Sequence, residues 1–227
     1  MIGEARAVLL DALGTLLTLE DPAPLLRSQL ARRFAVEITG EQARRAIRAE
    51  IAYYRSHFDE GSDPTALAAL RRRCAEALRS GLPANDPRIA AIDTESLTAA
   101  LLASLKFSAF ADARPALRKA RLDGRRIVVV SNWDVSLHEV LERLELARLV
   151  DGIVTSAGVG ARKPATVIFE RGLSVAGVQP QEAVHVGDSV DDDIAGARAA
   201  GLDAILVRRD GGAGPPGVRT IATLAAL

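Results

Sequence analysis

Five short apolar runs constrain the fold of this 227-residue chain more than any other feature of its sequence. They cover residues 7–10, 127–130, 152–154, 183–186 and 204–207. Each run is too short for a helix, and several are rich in Val and Ile. Such runs are typical of parallel strands that are buried on both faces of a sheet. The sequence therefore predicts a buried parallel sheet.

Helical patterns separate the last four runs. Residues 136–149 place their Leu and Val on one face, residues 164–176 begin with Pro164 in the first turn, and residues 191–200 end before Gly201. This alternation predicts an α/β fold with a doubly wound parallel sheet. In such sheets ligands bind beyond the carboxyl ends of the strands, so we expect the site there.

More than a hundred residues separate the first apolar run from the second, and this interval contains no convincing strand. Its periodicity and its breaks predict four helices, near residues 22–35, 40–58, 63–80 and 94–105. The simplest account is an all-helical domain inserted after the first strand. We expect a core domain formed by residues 1–17 and 107–227, and an inserted domain of residues 18–106.

Composition excludes several classes of protein. The 29 basic and 29 acidic residues balance, which argues against a nucleic-acid partner bound by bulk charge. The single cysteine, Cys74, excludes a disulfide framework and a multi-cysteine zinc site. The first residues do not resemble a secretion signal, and no run of about 20 apolar residues exists to span a membrane. We expect a cytoplasmic protein with no membrane partner.

Polar residues lie at the ends of the first two predicted strands and in the loop after the third. Asp11 ends the first strand, and a carboxylate there is costly to bury unless it is paired or used. Ser131 and Asn132 end the second strand, where they would either hold an oxyanion or cap a helix. Lys163, one of only three lysines, precedes a helix N-terminus, where an anion is favoured. Taken singly, each residue also fits an ordinary surface or capping role.

Four aspartates follow the fourth predicted strand: Asp188, Asp191, Asp192 and Asp193. Carboxylates this close in the chain repel one another, and a hard cation such as Mg²⁺, which prefers oxygen ligands, would relieve the repulsion. Asp191 or Asp192 is also well placed to cap the helix that follows.

Taken together and in this order, the four segments resemble the haloacid dehalogenase (HAD) superfamily. The matching motifs are Asp11-x-x-Gly14-Thr15-Leu16, Ser131-Asn132, Lys163-Pro164 and Gly187-Asp188-Ser189-x-x-x-Asp193. The resemblance covers essentially the whole chain. The inserted helices are similar to the C1-type cap of subfamily I, which is inserted at the same place.

The resemblance implies roles for individual residues. Asp11 would be the nucleophile that forms a covalent aspartyl intermediate, and Lys163 would screen its charge. The implied phosphate-binding set is Ser131, Asn132 and Lys163; the implied Mg²⁺ set is Asp11, the backbone carbonyl of Leu13 and Asp188; Asp193 and Asp192 would support them. The implied partner is a small phosphorylated metabolite, bound by a monomer or a homodimer.

Leu13 departs from the pattern of the phosphatases in this superfamily. They usually carry a second aspartate at this position, which protonates the leaving group and then activates water. Leucine cannot transfer protons, and general acid–base help is typically worth ~10²–10⁴-fold in rate. We therefore expect a Mg²⁺-dependent phosphatase whose acid/base is lost or supplied from the inserted domain, where His57 and Glu60 are candidates.

Three alternatives stay open. A 2-haloacid dehalogenase resembles this chain in needing no acid at the position of Leu13, although Gly187-Asp188-Ser189 looks like the metal-binding form of the last motif. A binding or regulatory protein on the same fold would explain Leu13 but would not need Asp11. A phosphonoacetaldehyde hydrolase needs a cap lysine, and residues 18–105 contain none.

Overall fold

A computed structural model describes residues 5–227 and divides the chain into two compact units. The first unit runs to Thr18 and resumes with Ser108–Leu227, and the second is Leu19–Phe107. The first contains a parallel sheet with helices, and the second is helical. The predicted fold class, an α/β fold with an inserted helical region, is confirmed.

Six parallel strands form the main sheet, in the order β5-β4-β1-β6-β7-β8, and two short strands, β2 and β3, form a separate sheet. The strands are β1 (Ala7–Leu10), β2 (Leu17–Leu19), β3 (Phe107–Ala109), β4 (Arg126–Ser131), β5 (Gly152–Thr155), β6 (Ala183–Gly187), β7 (Asp203–Val207) and β8 (Arg219–Ile221). All five predicted strands are present. The expectation of no strand between the first and second apolar runs was wrong: β2 and β3 lie in that interval, and each is too short to form an apolar run.

The helices of the second unit are α1 (Pro22–Phe34), α2 (Gly40–His57), α3 (Pro64–Gly81), α4 (Pro87–Ala90) and α5 (Thr94–Ser104). Each of these helices begins at a capping side chain, which satisfies backbone N–H groups that have no partner within the helix. Asp21, Thr39, Asp63 and Asp93, for example, each accept a hydrogen bond from the first turn. Their apolar faces pack into a core that includes Leu26, Leu30, Leu70, Leu78 and Leu101.

The helices of the first unit are α6 (Ala113–Leu122), α7 (Leu137–Arg143), α8 (Ser156–Val159), α9 (Thr166–Ala176) and α10 (Gly196–Ala199). The predicted helix 136–149 is shorter because Glu145 has a left-handed backbone (φ 55°), and only a 3₁₀ turn follows. The predicted helix 164–176 begins at Thr166, since the Ala165 N–H bonds to the Arg162 carbonyl in a turn. The predicted helix 191–200 begins instead as a π-type turn, Val190–Ala195. Among the described residues, no helix combines the length and apolar character that crossing a membrane requires.

Strand β1 lies at the centre of the sheet, between β4 and β6. The chain order of the strands reverses there, and ligands of doubly wound sheets bind at such a point, beyond the carboxyl ends. Leu9 of β1 and Val130 of β4 belong to the same buried core as Phe169 of α9. The rigid core therefore fixes the strand ends that carry Asp11 and Ser131.

Gly81 tests the packing of the second unit. A Cβ added there would lie 2.5 Å from the Ala46 Cα on the neighbouring helix α2, which is a backbone atom that cannot swing aside. We expect Gly81→Ala to lower the free energy of unfolding by about 1–3 kcal/mol in denaturant titrations. Gly40→Ala is the matched control, because a Cβ there meets only the flexible Arg44 guanidinium at 3.4 Å. Equal effects of the two substitutions would contradict this account of the packing.

Candidate active site

Asp11 and Ser131 meet at the ends of adjacent strands. The Asp11 N–H donates to the Val186 carbonyl, which extends the pairing of β1 and β6 by one residue. The carboxylate is only 6% exposed, and its Oδ1 accepts a hydrogen bond from the Ser131 hydroxyl at 2.9 Å. The predicted nucleophile and one predicted phosphate ligand are therefore in direct contact.

Lys163 is the cation of the site and is only 2% exposed. Its ammonium donates to Asp11 Oδ1 at 2.6 Å and to Asp193 Oδ1 at 2.5 Å. A buried ammonium is stable only when its charge is compensated, and here two carboxylates compensate it. Burial alone would lower the pKa of Lys163, but the charges of Asp11 and Asp193 outweigh it and raise this pKa above its usual value. Lys163 therefore remains a cation across the physiological pH range.

The two carboxylates that flank Lys163 have different electrostatic environments. Burial is the largest influence on Asp11, and it raises the pKa of this carboxyl despite the opposing contributions of Lys163 and Ser131. Burial also acts to raise the pKa of Asp193, but Lys163 and His185 overcome it and hold this pKa below its ordinary value. Asp193 is thus the permanent counter-ion of Lys163, and Asp11 is the carboxylate that is less stable as an anion.

Asn132 contacts the backbone that carries Lys163. Its side-chain amide donates to the Lys163 carbonyl at 3.1 Å, and its Oδ1 accepts from the Lys163 N–H at 2.7 Å. Both polar atoms of the amide are used in this pair, which fixes the loop before α9 against the end of β4. In the structure the Asn132 side chain therefore positions Lys163, and its predicted contact with phosphate stays a prediction.

Asp188 completes a group of three carboxylates. One oxygen from each of Asp11, Asp188 and Asp193 lies within 4.8 Å of the other two. Gly14, with φ +84°, makes room for Asp188, because a Cβ at Gly14 would lie 2.0 Å from Asp188 Oδ2. Asp188 is the exposed member of the group, but partial burial of its carboxyl, followed by the charges of Asp11 and Asp193, raises its pKa to about 6. An oxygen-rich group with unrelieved negative charge suits a hard divalent cation.

The turn after β6 determines which of the adjacent aspartates enters the site. Asp193 contacts Lys163, while the Asp192 N–H bonds to the Ser189 hydroxyl at 3.1 Å. Ser189 therefore caps this turn, in place of the expected Asp191 or Asp192. Burial raises the pKa of the partly exposed Asp192. Its predicted supporting role stays a prediction.

Two residues near the site were missed in the sequence. The buried His185 Nε2 lies 2.8 Å from Asp193 Oδ1, and the signal for it was a histidine within the apolar strand β6. The Arg209 guanidinium donates to the Thr15 carbonyl next to the nucleophile loop and to Asp112 Oδ2 at 2.5 Å. Nothing near Arg209 in the sequence indicates this contact, which joins residues 194 positions apart.

The comparison with known families agrees with this geometry. Residues 5–201 match the family described as haloacid dehalogenase-like hydrolase. The chain belongs to this family. The parallel sheet and the inserted helical region are therefore the fold of a HAD-like hydrolase.

Two relatives match part of this HAD-like hydrolase. A 95-residue segment is 41% identical to haloacid dehalogenase-like hydrolase domain-containing protein 3 of Xenopus laevis, covering 42% of this chain and 39% of that protein. A 129-residue segment is 35% identical to a glyceraldehyde 3-phosphate phosphatase of Methanopyrus kandleri, covering 54% of this chain and 55% of that protein. Both matches span less than two thirds of the relative's own length.

Two solved structures resemble the HAD-like hydrolase over nearly its whole length. A HAD phosphatase from Thermococcus onnurineus is 25% identical, with a TM-score of 0.65 over 97% of this chain and 94% of that one. A 2-haloacid dehalogenase from Pseudomonas syringae pv. Tomato is also 25% identical, with a TM-score of 0.66 over 97% and 95%. Because one fold carries both chemistries, the site residues must decide between them.

Asp188 provides a test of the charge in the site. The pKa of its carboxyl is raised, so its ionised form costs stability above pH 6, and this cost disappears as the pH falls towards 4. In metal-free buffer at pH 8 we expect Asp188→Asn to raise the free energy of unfolding by about 1–2 kcal/mol, after allowance for solvent screening. Denaturant titrations from pH 4 to pH 8 measure the difference.

Asp191→Asn is the matched control for Asp188→Asn, since Asp191 is exposed and outside the carboxylate group. This control should follow the wild type at every pH. Adding Mg²⁺ should raise the melting temperature of the wild type and of Asp191→Asn, and should leave Asp188→Asn nearly unchanged. If Mg²⁺ stabilises Asp188→Asn as much as the wild type, Asp188 is not a metal ligand.

Proposed function

We propose that this HAD-like hydrolase is a Mg²⁺-dependent phosphatase that acts on a small phosphorylated metabolite through an aspartyl-phosphate at Asp11. The observation that carries the proposal is the contact of Asp11 with both Lys163 and Ser131, at 2.6 Å and 2.9 Å. A nucleophilic carboxylate needs nearby positive charge before an anionic substrate can approach it. The named phosphatases among its relatives and solved neighbours support the same chemistry.

The carboxylate group supports the choice of Mg²⁺. Both carboxylate oxygens of Asp193 accept hydrogen bonds, from Lys163, His185 and the Ser189 N–H. Asp11 and Asp188 each keep at least one oxygen without a donor among the described residues, and that oxygen is available to a cation. We therefore assign Asp11, Asp188 and the Leu13 carbonyl as ligands, and Asp193 as the partner of Lys163. The cation, when bound, would neutralise phosphoryl charge beside the nucleophile.

The proposed reaction has two steps that use the same residues. An Asp11 carboxylate oxygen attacks phosphorus, the bond from phosphorus to the leaving oxygen breaks, and the phosphoryl group becomes attached to Asp11. Water then attacks phosphorus, which releases inorganic phosphate and restores the carboxylate. Throughout, Lys163 stabilises the phosphoryl oxygens, Ser131 offers a hydroxyl, and Asn132 keeps Lys163 in place.

Leu13 sets a limit on this chemistry. Leu13 lies two residues after the nucleophile and is 40% exposed, and its side chain carries no proton to donate. The two candidate substitutes in the second unit have local partners: His57 Nδ1 lies 2.7 Å from the Tyr53 carbonyl, and Glu60 pairs with Arg73. We propose that the leaving group departs without protonation by a residue at position 13, which favours leaving groups that are stable as anions.

Asp11→Asn tests the nucleophile. The variant retains the size of the side chain and one acceptor oxygen for Ser131 and Lys163, but it cannot form the aspartyl-phosphate, so phosphate release should fall to background. The assay is phosphate release from a panel of phosphorylated metabolites and from an aryl phosphate, with and without Mg²⁺. Asp191→Asn should retain wild-type activity.

The same assay separates the proposed function from its alternatives. Equal phosphate release by the wild type and Asp11→Asn would overturn the proposed mechanism. Release of halide from 2-chloropropionate, lost in Asp11→Asn and independent of Mg²⁺, would identify a dehalogenase. If the wild type releases neither phosphate nor halide, a binding or regulatory protein is favoured.

Leu13→Asp tests the missing acid. The added carboxyl should increase turnover of an alkyl phosphate, whose leaving group needs a proton, more than turnover of an aryl phosphate. The gain for the alkyl phosphate should approach ~10²-fold if no other group acts as the acid. Leu13→Asn is the matched control, because it has the same shape without a transferable proton. A folded Leu13→Asp with no gain over Leu13→Asn would show that another residue already supplies the proton.

A further inference from the structure

We infer that His185 is a positioning residue of this active site, which holds Asp193, and through Asp193 the ammonium of Lys163, in the geometry that the reaction needs. The inference rests on the proposed function for its effect on turnover. It concerns a residue that does not touch the substrate and lies inside the sheet.

His185 occupies a position that its strand would otherwise fill with an apolar side chain. In the register of the sheet it pairs with Leu9 of β1 and Ala204 of β7, and it is fully buried. Its ring packs edge-on against Phe169 of α9, with ring centroids 5.0 Å apart. Burying a polar ring among apolar neighbours costs free energy unless the ring is hydrogen-bonded. The partner that offsets this cost is Asp193.

Asp193 is held by three donors. Its Oδ1 accepts from Lys163 Nζ at 2.5 Å and from His185 Nε2 at 2.8 Å, and its Oδ2 accepts from the Ser189 N–H at 2.9 Å. The carboxylate also lies close over the backbone of Gly187, where an added Cβ would be 2.1 Å from its Cγ. Lys163 is one of these donors and must itself be held, so only Ser189 and His185 fix the carboxylate independently.

The two ring nitrogens of His185 have different environments. Nε2 faces a carboxylate and must therefore carry a proton, because a carboxylate only accepts hydrogen bonds. Nδ1 is buried and has no hydrogen-bond partner among the described protein atoms. An unpaired buried N–H is costly, so the geometry assigns the proton to Nε2 and a lone pair to Nδ1. This assignment makes His185 a fixed single donor to Asp193.

Loss of the His185 donor should affect turnover through Lys163. Asp193 would keep one independent donor and could rotate, and the Lys163 ammonium would lose its fixed distance from Asp11. Outer-shell residues that orient the ligands of metal sites typically contribute roughly 10–100-fold to affinity or activity, and we expect a loss of the same order here. The substrate contact of Ser131 would remain and Lys163 would stay a cation near the phosphoryl group, so kcat should fall more than KM rises.

Three substitutions of His185 separate a positioning role from a packing role. Gln places an amide N–H close to the position of Nε2, Asn places the same amide near the position of Nδ1, and Phe retains a ring without a donor. We expect kcat for an aryl phosphate with Mg²⁺ to fall roughly 10–100-fold in His185→Asn and His185→Phe. His185→Gln should stay within a few-fold of the wild type. Equal losses in all three, or no loss in any, would overturn the inference.

The composition of the chain allows a second readout that does not need activity. It has only three lysines and three histidines, so selective ¹⁵N labelling of each type gives few signals. Lys106 and Lys119 are exposed, and their ammonium protons exchange rapidly with water, whereas the buried Lys163 should give an observable ammonium signal. This signal should persist in His185→Gln and broaden or disappear in His185→Asn and His185→Phe.

The NMR measurement on Lys163 distinguishes failure of the inference from failure of the proposed function. If the wild type releases no phosphate, the proposed function fails, and the Lys163 signal alone decides whether His185 positions the site. An unchanged Lys163 signal in His185→Phe would overturn the inference whatever the activity. If the variants do not fold, the ¹⁵N shifts of the wild-type His185 ring decide: a proton on Nε2 supports the inference, and a proton on Nδ1 alone overturns it.

Discussion

The buried ammonium of Lys163 is the interaction on which the rest of the site depends. It lies between Asp11 and Asp193, each of which would be destabilised by burial without it. The three residues come from the end of β1, the loop before α9 and the turn after β6. One cation therefore joins three separate segments, and breaking such a buried group leaves uncompensated charge in the interior.

The sequence predicted the elements that depend on local pattern. The apolar runs identified β1, β4, β5, β6 and β7, because strands buried on both faces need continuous apolar residues. The edge strand β8 contains one buried residue, Ile221, and so carries no such pattern. Contacts between distant segments could not be predicted from local pattern. The hydrogen bonds of Asn132 to the Lys163 backbone and of Arg209 to the Thr15 carbonyl exist only once the chain is folded.

The groups around Asp11 are charged or polar side chains that are held in fixed positions. Lys163 and Asp193 form ion pairs, Asn132 fixes a backbone segment, and His185 offers one donor from within the sheet. Electrostatic groups that are already oriented before the reaction need no reorganisation when charge develops. Proton transfer makes the opposite demand, because the group must change its charge during turnover. Two residues after Asp11, where phosphatases of the superfamily usually carry such a group, this chain has Leu13.

Charge neutralisation and proton transfer are physically separable here. The network around Lys163 is buried and rests on rigid strand ends, so changing one member disturbs the others. Leu13 belongs to a loop that is fixed through its backbone, by the Gly14 N–H to the Leu17 carbonyl at 2.7 Å and by Arg209 on the Thr15 carbonyl, while its side chain is partly exposed. Substitution of that side chain can therefore alter acid–base chemistry without disturbing the ion pairs. Under the proposed function, the residue at position 13 would therefore determine which leaving groups the site accepts, while the ion pairs around Asp11 stay the same.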